Sequence, residues 1–119
     1  MLATAQAAPR ALRPARRPWL QLLSGVLGLA GPGAELLRHS EKPWSSATFS
    51  GSRHVVALEF RGDAGLAAAE AFMEALPEHD FALSRHKIAE ACIGAVEQTM
   101  QPQPCITVEA QFLLVEDAC

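Results

Sequence analysis

The sequence lacks the motifs from which a reaction is usually assigned. It contains no G-x-S-x-G turn, no glycine-rich phosphate loop, and no alternation of basic and aromatic residues of the kind that binds RNA. It also has no run of 18 or more apolar residues, so a membrane span is not expected. With half of its residues hydrophobic, the chain is predicted to be a soluble globular protein without a cofactor and without a membrane partner.

Cysteine is scarce, and its spacing is uninformative for metal binding. There are three cysteines and no C-x-x-C pair, which is not a disulfide framework and favours a reducing, cytoplasmic setting. Cys92 and Cys105 are nucleophile candidates only in principle, because no histidine is adjacent to either in the sequence. We therefore expect both to be structural.

Charge is unevenly divided along the chain. Residues 1–39 hold five arginines and one acid, for a net +4, whereas residues 40–119 hold five basic and twelve acidic side chains, for a net −7. An acidic body repels the phosphate backbone, so nucleic acid is not an expected partner.

The 119 residues are enough for one domain. Residues 1–18, rich in Ala, Pro and Arg and free of acid, are predicted to be a disordered basic tail, followed by a single α+β domain over residues 19–119. A different interpretation is export, because Arg16-Arg17 precedes a modest apolar run and resembles a twin-arginine signal.

A hairpin is predicted over residues 44–60, where apolar side chains alternate. A two-residue turn at Gly51-Ser52 would place Phe49 opposite His54 and Ala47 opposite Val56. In that register one side of the hairpin is apolar, and Trp44, Thr48 and Val55 lie on the other.

Two helices are predicted on either side of this hairpin. Apolar residues recur at helical spacing over residues 19–29, and Gly31-Pro32-Gly33 ends that helix. Residues 64–76 show the clearest helical stripe, with Asp63 as N-cap and Pro77 as the stop.

The last third of the chain predicts one strand clearly and another ambiguously. Residues 105–117 alternate as a strand does. Residues 86–100 fit a helical face about as well as a strand, although the Pro-rich stretch at 101–104 is typical of a loop between two paired strands.

Three short runs carry a resemblance: WSSATFSGSRH at 44–54, ALPEHDFAL at 75–83 and FLLVED at 112–117. They resemble a group of small bacterial proteins that share a W-x-S-A-T-F-x-G-x-R-H hairpin and have no known function. The resemblance implies that residues 86–99 are extended, and it implies no activity or site. It also counts against export, because the apolar run at 19–30 would then belong to the domain.

Histidine provides the candidate catalytic chemistry. His54, next to the predicted turn, is expected to pack on Phe49 at the rim of the sheet; as a functional residue it would instead pair with Asp80 or Glu78 as a general acid or base. No two histidines have the spacing of a metal site, so no metal is expected. Trp44, Arg53 and His54 are the candidate binding residues.

Together these patterns predict an α+β fold, a two-layer sandwich in which two helices cover one face of a four-stranded antiparallel sheet in the order α-β-β-α-β-β. The uncovered face would carry Trp44, Thr48, Val55, Ala57, Leu113 and Val115, which is unusually apolar for a surface. We therefore expect a non-catalytic protein-interaction or ligand-binding domain, most simply a homodimer or other homo-oligomer that associates through its sheet. The alternative is a small hydrolase or isomerase that uses His54 and Asp80.

Overall fold

The computed structural model describes residues 18–116 and confirms the predicted element order. Helix α1 is helical from residue 18 to residue 30. Strands β1 (Glu35–Ser45) and β2 (Ser50–Arg61) precede helix α2 (Gly62–Ala75) and a 3-10 turn (Leu76–Glu78), and strands β3 (His86–Thr99) and β4 (Cys105–Glu116) follow. Most of the predicted basic tail and its Arg16-Arg17 pair lie outside the described residues.

The four strands form one antiparallel sheet in the order β1-β2-β4-β3, so that β1 and β3 are its edges. Both helices pack on the same face of this sheet, which we call the covered face. The core between the layers is continuous and apolar; it contains Leu22, Val26, Ala30, Val56, Leu58, Phe60, Ala69, Phe72, Leu76, Ile106, Val108, Ala110, Phe112 and Leu114. The α+β sandwich predicted from the sequence is therefore confirmed.

Helix α2 begins one residue before the predicted cap. Gly62 has a φ of 79° and donates its N–H to the Pro104 carbonyl at 2.8 Å, which turns the chain sharply out of β2. Asp63 consequently lies inside the first turn rather than at the N-cap, where its charge still favours the positive end of the helix. Pro77 lies in the 3-10 turn that follows, close to the predicted end.

The predicted turn of the first hairpin is wrong. The strands are joined by residues 46–49, not by Gly51-Ser52, and Ser45 pairs with Ser50. The loop is closed by Ser46, whose N–H donates to the Phe49 carbonyl at 2.8 Å and whose Oγ accepts the Phe49 N–H at 3.1 Å. Phe49 is thus a loop residue that does not face His54, and Glu41 lies opposite His54 instead.

Gly51 serves a different purpose from the predicted one. It lies within β2, between Trp44 of β1 and Val115 of β4. A Cβ atom at this position would overlap the carbonyl oxygen of Leu114. Glycine is therefore required for the close approach of two strands, not for a positive φ in a turn.

Residues 86–99 form strand β3, as the resemblance implied. The strand pairs with β4 along its whole length, from His86 opposite Glu116 to Thr99 opposite Cys105, and the Pro-rich segment forms the connecting loop. The register shifts between Ile88 and Glu90 and again between Ile93 and Ala95. Each bulge is one extra residue in β3 relative to β4, and it shifts the alternation of side chains by one position. The apolar residues of β3 on both sides of each bulge therefore stay on the covered face.

Candidate functional site

His54 lies on the covered face of β2 and is almost fully buried, with 1% of its surface exposed. Its neighbours are His39 from β1 and Ser52 from its own strand, together with Trp19 from α1. The sequence expectation that His54 packs on Phe49 at the rim of the sheet is wrong, because Phe49 lies in the loop at 46–49.

The rings of His39, His54 and Trp19 are stacked nearly parallel. The Trp19 and His39 centroids are 3.4 Å apart at an interplanar angle of 4°, and His54 lies 5.1 Å from His39. Nε2 of His39 lies 2.8 Å from Nδ1 of His54, and the other ring nitrogen of His54 lies 2.8 Å from the Ser52 hydroxyl. Both nitrogens of His54 therefore have hydrogen-bond partners within the protein.

A carboxylate completes this group. Glu41 lies directly opposite His54 in the register of β1 and β2, and the side-chain ligand atoms of His39, Glu41 and His54 lie within 4.8 Å of one another. We call these three residues the His-Glu-His cluster. Burial lowers the pKa of His54, and this effect outweighs the opposing attraction of Glu41. The pKa of His39 is lowered by burial in the same way.

Asp80, the predicted acid partner of His54, lies in the segment between the 3-10 turn and β3. It lines a groove together with His79, Phe81 and His86. The hydrogen bonds of the His54 ring go to His39 and Ser52. The carboxylate grouped with His54 is Glu41, which the sequence did not single out.

The second face of the sheet, which we call the open face, is more polar at its centre than predicted. Nη2 of Arg38 on β1 donates to Oε2 of Glu109 on β4 at 3.2 Å. Both residues flank Ala57 of the intervening strand β2 in the register. Ala57 was expected to be part of an exposed apolar surface, but its exposure is 0%. The long side chains of this cross-strand ion pair cover Ala57.

A second group of charges lies where β2 ends. Arg61 contacts Glu59 at 2.7 Å and Glu35 at 3.8 Å. The Cys105 thiol donates to Glu59 at 3.4 Å. The hydrogen bond from Arg61 is the main cause that lowers the pKa of Glu59, and the hydrogen bond from Cys105 is the second. Burial is the main cause that raises the pKa of Cys105, and its hydrogen bond to Glu59 is the second. Cys92 and Cys105 are both free and half-buried, as expected of structural cysteines.

The opposite end of the open face is apolar, and it holds the predicted binding residue Trp44. Here Trp44 and Phe49 border a groove of about 520 Å³, which we call the open-face groove. Its other lining residues are Lys87, Ile88, Ala89, Leu113, Val115 and Glu116. Phe49 is 51% exposed, and a large aromatic side chain is rarely this exposed unless another protein chain covers it.

Arg53 lies beside this groove. Arg53 of β2 and Glu90 of β3 both pair with Leu113 of the strand between them, and their charged ends are 4.0 Å apart. The predicted binding residues Trp44 and Arg53 are therefore on the open face, while His54 faces the helices. Thr48, also expected on the open face, lies in the loop at 46–49.

Sequence reasoning missed His39, Glu41 and Ser52 because it compared histidines along the chain. The signal that finds them is the cross-strand register, in which His39 and Glu41 are on alternate positions of one strand opposite Val56 and His54. That register depends on the turn, and the predicted turn was misplaced.

Among residues 18–116, no helix is both long and apolar enough to cross a membrane. No protein-family model matches the chain, and no curated protein matches it in sequence. One solved structure is similar in fold: a chain of the "Virion of native gene transfer agent (GTA) particle", with a TM-score of 0.57 and 20% sequence identity over 83% of this chain and 92% of that chain. At this identity the likeness concerns the fold alone.

Proposed function

We propose that the chain is a non-catalytic structural domain that self-associates through the apolar end of its open face. The observation that carries this proposal is the open-face groove, in which Trp44, Phe49 and Leu113 form an apolar surface that neither helix covers. Uncovered apolar surface of this kind is typical of an interface between protein chains. Charged residues at its border, such as Arg53 and Glu90, would then form a polar rim.

The structural neighbour supports the same class of function. It is a component of a virion particle, an assembly of many subunits, and its chain shares this fold over most of its length. A domain that repeats within a particle needs contact surfaces more than a catalytic centre. We therefore propose that this chain, too, is a subunit of a larger protein assembly, with a second copy of itself as its first partner.

The alternative, a hydrolase or isomerase that uses His54, is less well supported. A general base needs a ring nitrogen that can reach the substrate. The two nitrogens of His54 are held by His39 and Ser52, and its ring is covered by neighbouring side chains. Asp80 lines a groove with His79 and His86, and His54 is not among the residues of that groove.

We also propose that the protein acts in the cytoplasm of a bacterium. Purified protein whose intact mass includes residues 1–18 would agree with this placement. A product shortened near residue 30 would instead favour export through the arginine pair.

The self-association is tested by sedimentation velocity at rising protein concentration. Phe49→Glu places a charge in the open-face groove, and Met100→Glu is its matched control, because Met100 is 52% exposed and lies just beyond the end of β3. We expect wild type and Met100→Glu to sediment as oligomers and Phe49→Glu as a monomer. A wild-type protein that stays monomeric at high micromolar concentration would refute the proposal.

A further inference from the structure

The His-Glu-His cluster unites the ligand types that bind late first-row transition metals. Imidazole nitrogens suit Zn²⁺, Ni²⁺ and Cu²⁺ rather than Mg²⁺ or Ca²⁺, and a single carboxylate completes three-residue zinc sites in many proteins. The two strands provide these groups on one face, because Glu41 is paired directly with His54, and His39 is two residues away on the same side. Trp19 further fixes the ring of His39 by stacking on it at 3.4 Å.

The hydrogen bonds place the two ligand nitrogens toward one another. The nitrogens Nε2 of His39 and Nδ1 of His54 are 2.8 Å apart, so one proton lies between them. The Ser52 hydroxyl can accept a hydrogen bond from Nε2 of His54, which leaves the lone pair of Nδ1 directed at His39. A hydrogen bond to the remote ring nitrogen is the usual device by which proteins orient a metal-binding histidine.

We propose that Nε2 of His39, Nδ1 of His54 and the carboxylate of Glu41 bind one Zn²⁺ ion, or a transition-metal ion of similar size. The ion takes the place of the proton between the two rings. By exchange with solvent, His39 loses its proton at Nε2 and gains one at Nδ1, so that both rings bind the ion as neutral imidazoles. Three protein ligands leave a fourth position for water.

The geometry requires only a small adjustment. Metal–nitrogen bonds of about 2.0–2.1 Å in a tetrahedral site separate the two nitrogens by roughly 3.3 Å, about half an ångström more than the hydrogen bond does. His39 can move by this amount, because its strand is an edge of the sheet and its side chain is only partly buried. Glu41 is exposed, so the ion can enter from solvent on that side.

The site is tested with the full chain after treatment with a chelator. Calorimetric titration with Zn²⁺ alone is expected to show one ion per chain. His39→Gln and Glu41→Gln should each weaken binding by about tenfold or more. His79→Gln is the matched control, because His79 packs on Phe81 and is not one of the three ligands, and it should bind as wild type does.

A second readout separates this site from zinc bound by cysteine. In a Trp44→Phe background, Trp19 is the remaining tryptophan, and its contact with His39 should make its fluorescence fall when Ni²⁺ or Cu²⁺ binds. His39→Gln should abolish this quenching while the circular dichroism of the fold is unchanged. If wild type binds no Zn²⁺, or if His39→Gln and His79→Gln bind it equally well, the proposal is wrong.

Discussion

The two faces of the sheet are built from alternate residues of the same strands, yet they exclude water by different means. On the covered face, side chains such as Phe60 and Phe112 pack directly against the helices. On the open face, Ala57 is equally buried, but beneath the Arg38–Glu109 ion pair. An alanine can therefore be buried in a surface without a second layer, provided that long charged side chains meet above it.

This difference has an energetic consequence. Burial against the helices removes apolar area from water, which is the main stabilising contribution to folding. The ion pairs of the open face are exposed to solvent and contribute little individually. We therefore expect the covered face to determine stability and the open face to determine what the protein contacts.

The largest expected effect is on the covered face. Phe72 of α2 is buried and packs on Phe60, with ring centroids 6.0 Å apart. Phe72→Ala should lower the free energy of unfolding by about 3–5 kcal/mol, measured by urea denaturation. Leu113→Ala on the half-buried open face should cost about 1 kcal/mol. Equal losses would show that the open face is as much a core as the covered one.

The next effect concerns the point where the strands approach most closely. Gly51→Ala introduces a Cβ that overlaps the Leu114 carbonyl, so β2 and β4 must separate there, at an expected cost of about 1–3 kcal/mol. Gly28→Ala is the control, because its Cβ would have no neighbour within 4 Å and α1 is a helix. Alanine there should stabilise the protein by about 0.5–1 kcal/mol. If Gly51→Ala is neutral in thermal denaturation, the close approach is not needed.

The covered face was also the easier of the two to predict from the sequence. In β4 every second residue from Ile106 to Leu114 is buried, so simple alternation identified the strand and its inward side. Helix α2 was predicted for a similar reason, since Ala69, Phe72 and Leu76 recur at helical spacing. In both elements the periodicity is uninterrupted, and in β4 burial on the inward side is complete.

Strand β3 was ambiguous because its two bulges disguise its period. Its inward residues are Ile88, Ala91, Ile93 and Val96, so the spacing alternates between three and two. Three of these residues, Ile88, Ala91 and Val96, are at positions i, i+3 and i+8, which also share one face of a helix. The pattern alone therefore did not decide between helix and strand. Periodicity fails wherever the hydrogen-bond register shifts, and bulges leave no reliable mark in the sequence.

The His-Glu-His cluster and the ion pairs could not be predicted for a related reason. Both depend on which residues of different strands lie opposite each other. Misplacing the first turn by a few residues was enough to pair His54 with Phe49 instead of Glu41. The partners of Arg38 also depend on strand order, because β4 lies two strands away from β1.

A smaller effect is expected when the ion pair over Ala57 is broken. In a double-mutant cycle, Arg38→Gln and Glu109→Gln should show a coupling energy of about 0.2–1 kcal/mol, because the arginine side chain is 64% exposed. Added salt should reduce this coupling. A coupling well above this range would mean that the pair is better shielded from water than its exposure indicates. The open face would then resemble a core at its centre.

The smallest effect is chemical and concerns the charged end of the open face. Burial, and then the hydrogen bond to Glu59, raise the pKa of the Cys105 thiol, so little of it is thiolate at neutral pH. Glu59→Gln removes the negative charge that opposes ionisation, and the pKa of Cys105 should fall. Its alkylation by iodoacetamide should consequently become faster at any pH below that pKa, while Cys92 in the same protein provides the reference rate. Burial remains in the variant, so Cys105 should still react more slowly than a thiol in the unfolded chain.

Arg61→Gln should act in the opposite direction, because Arg61 favours the thiolate. Peptide mass mapping that finds identical Cys105 rates in all three proteins would mean that the charges of the open face do not reach the thiol.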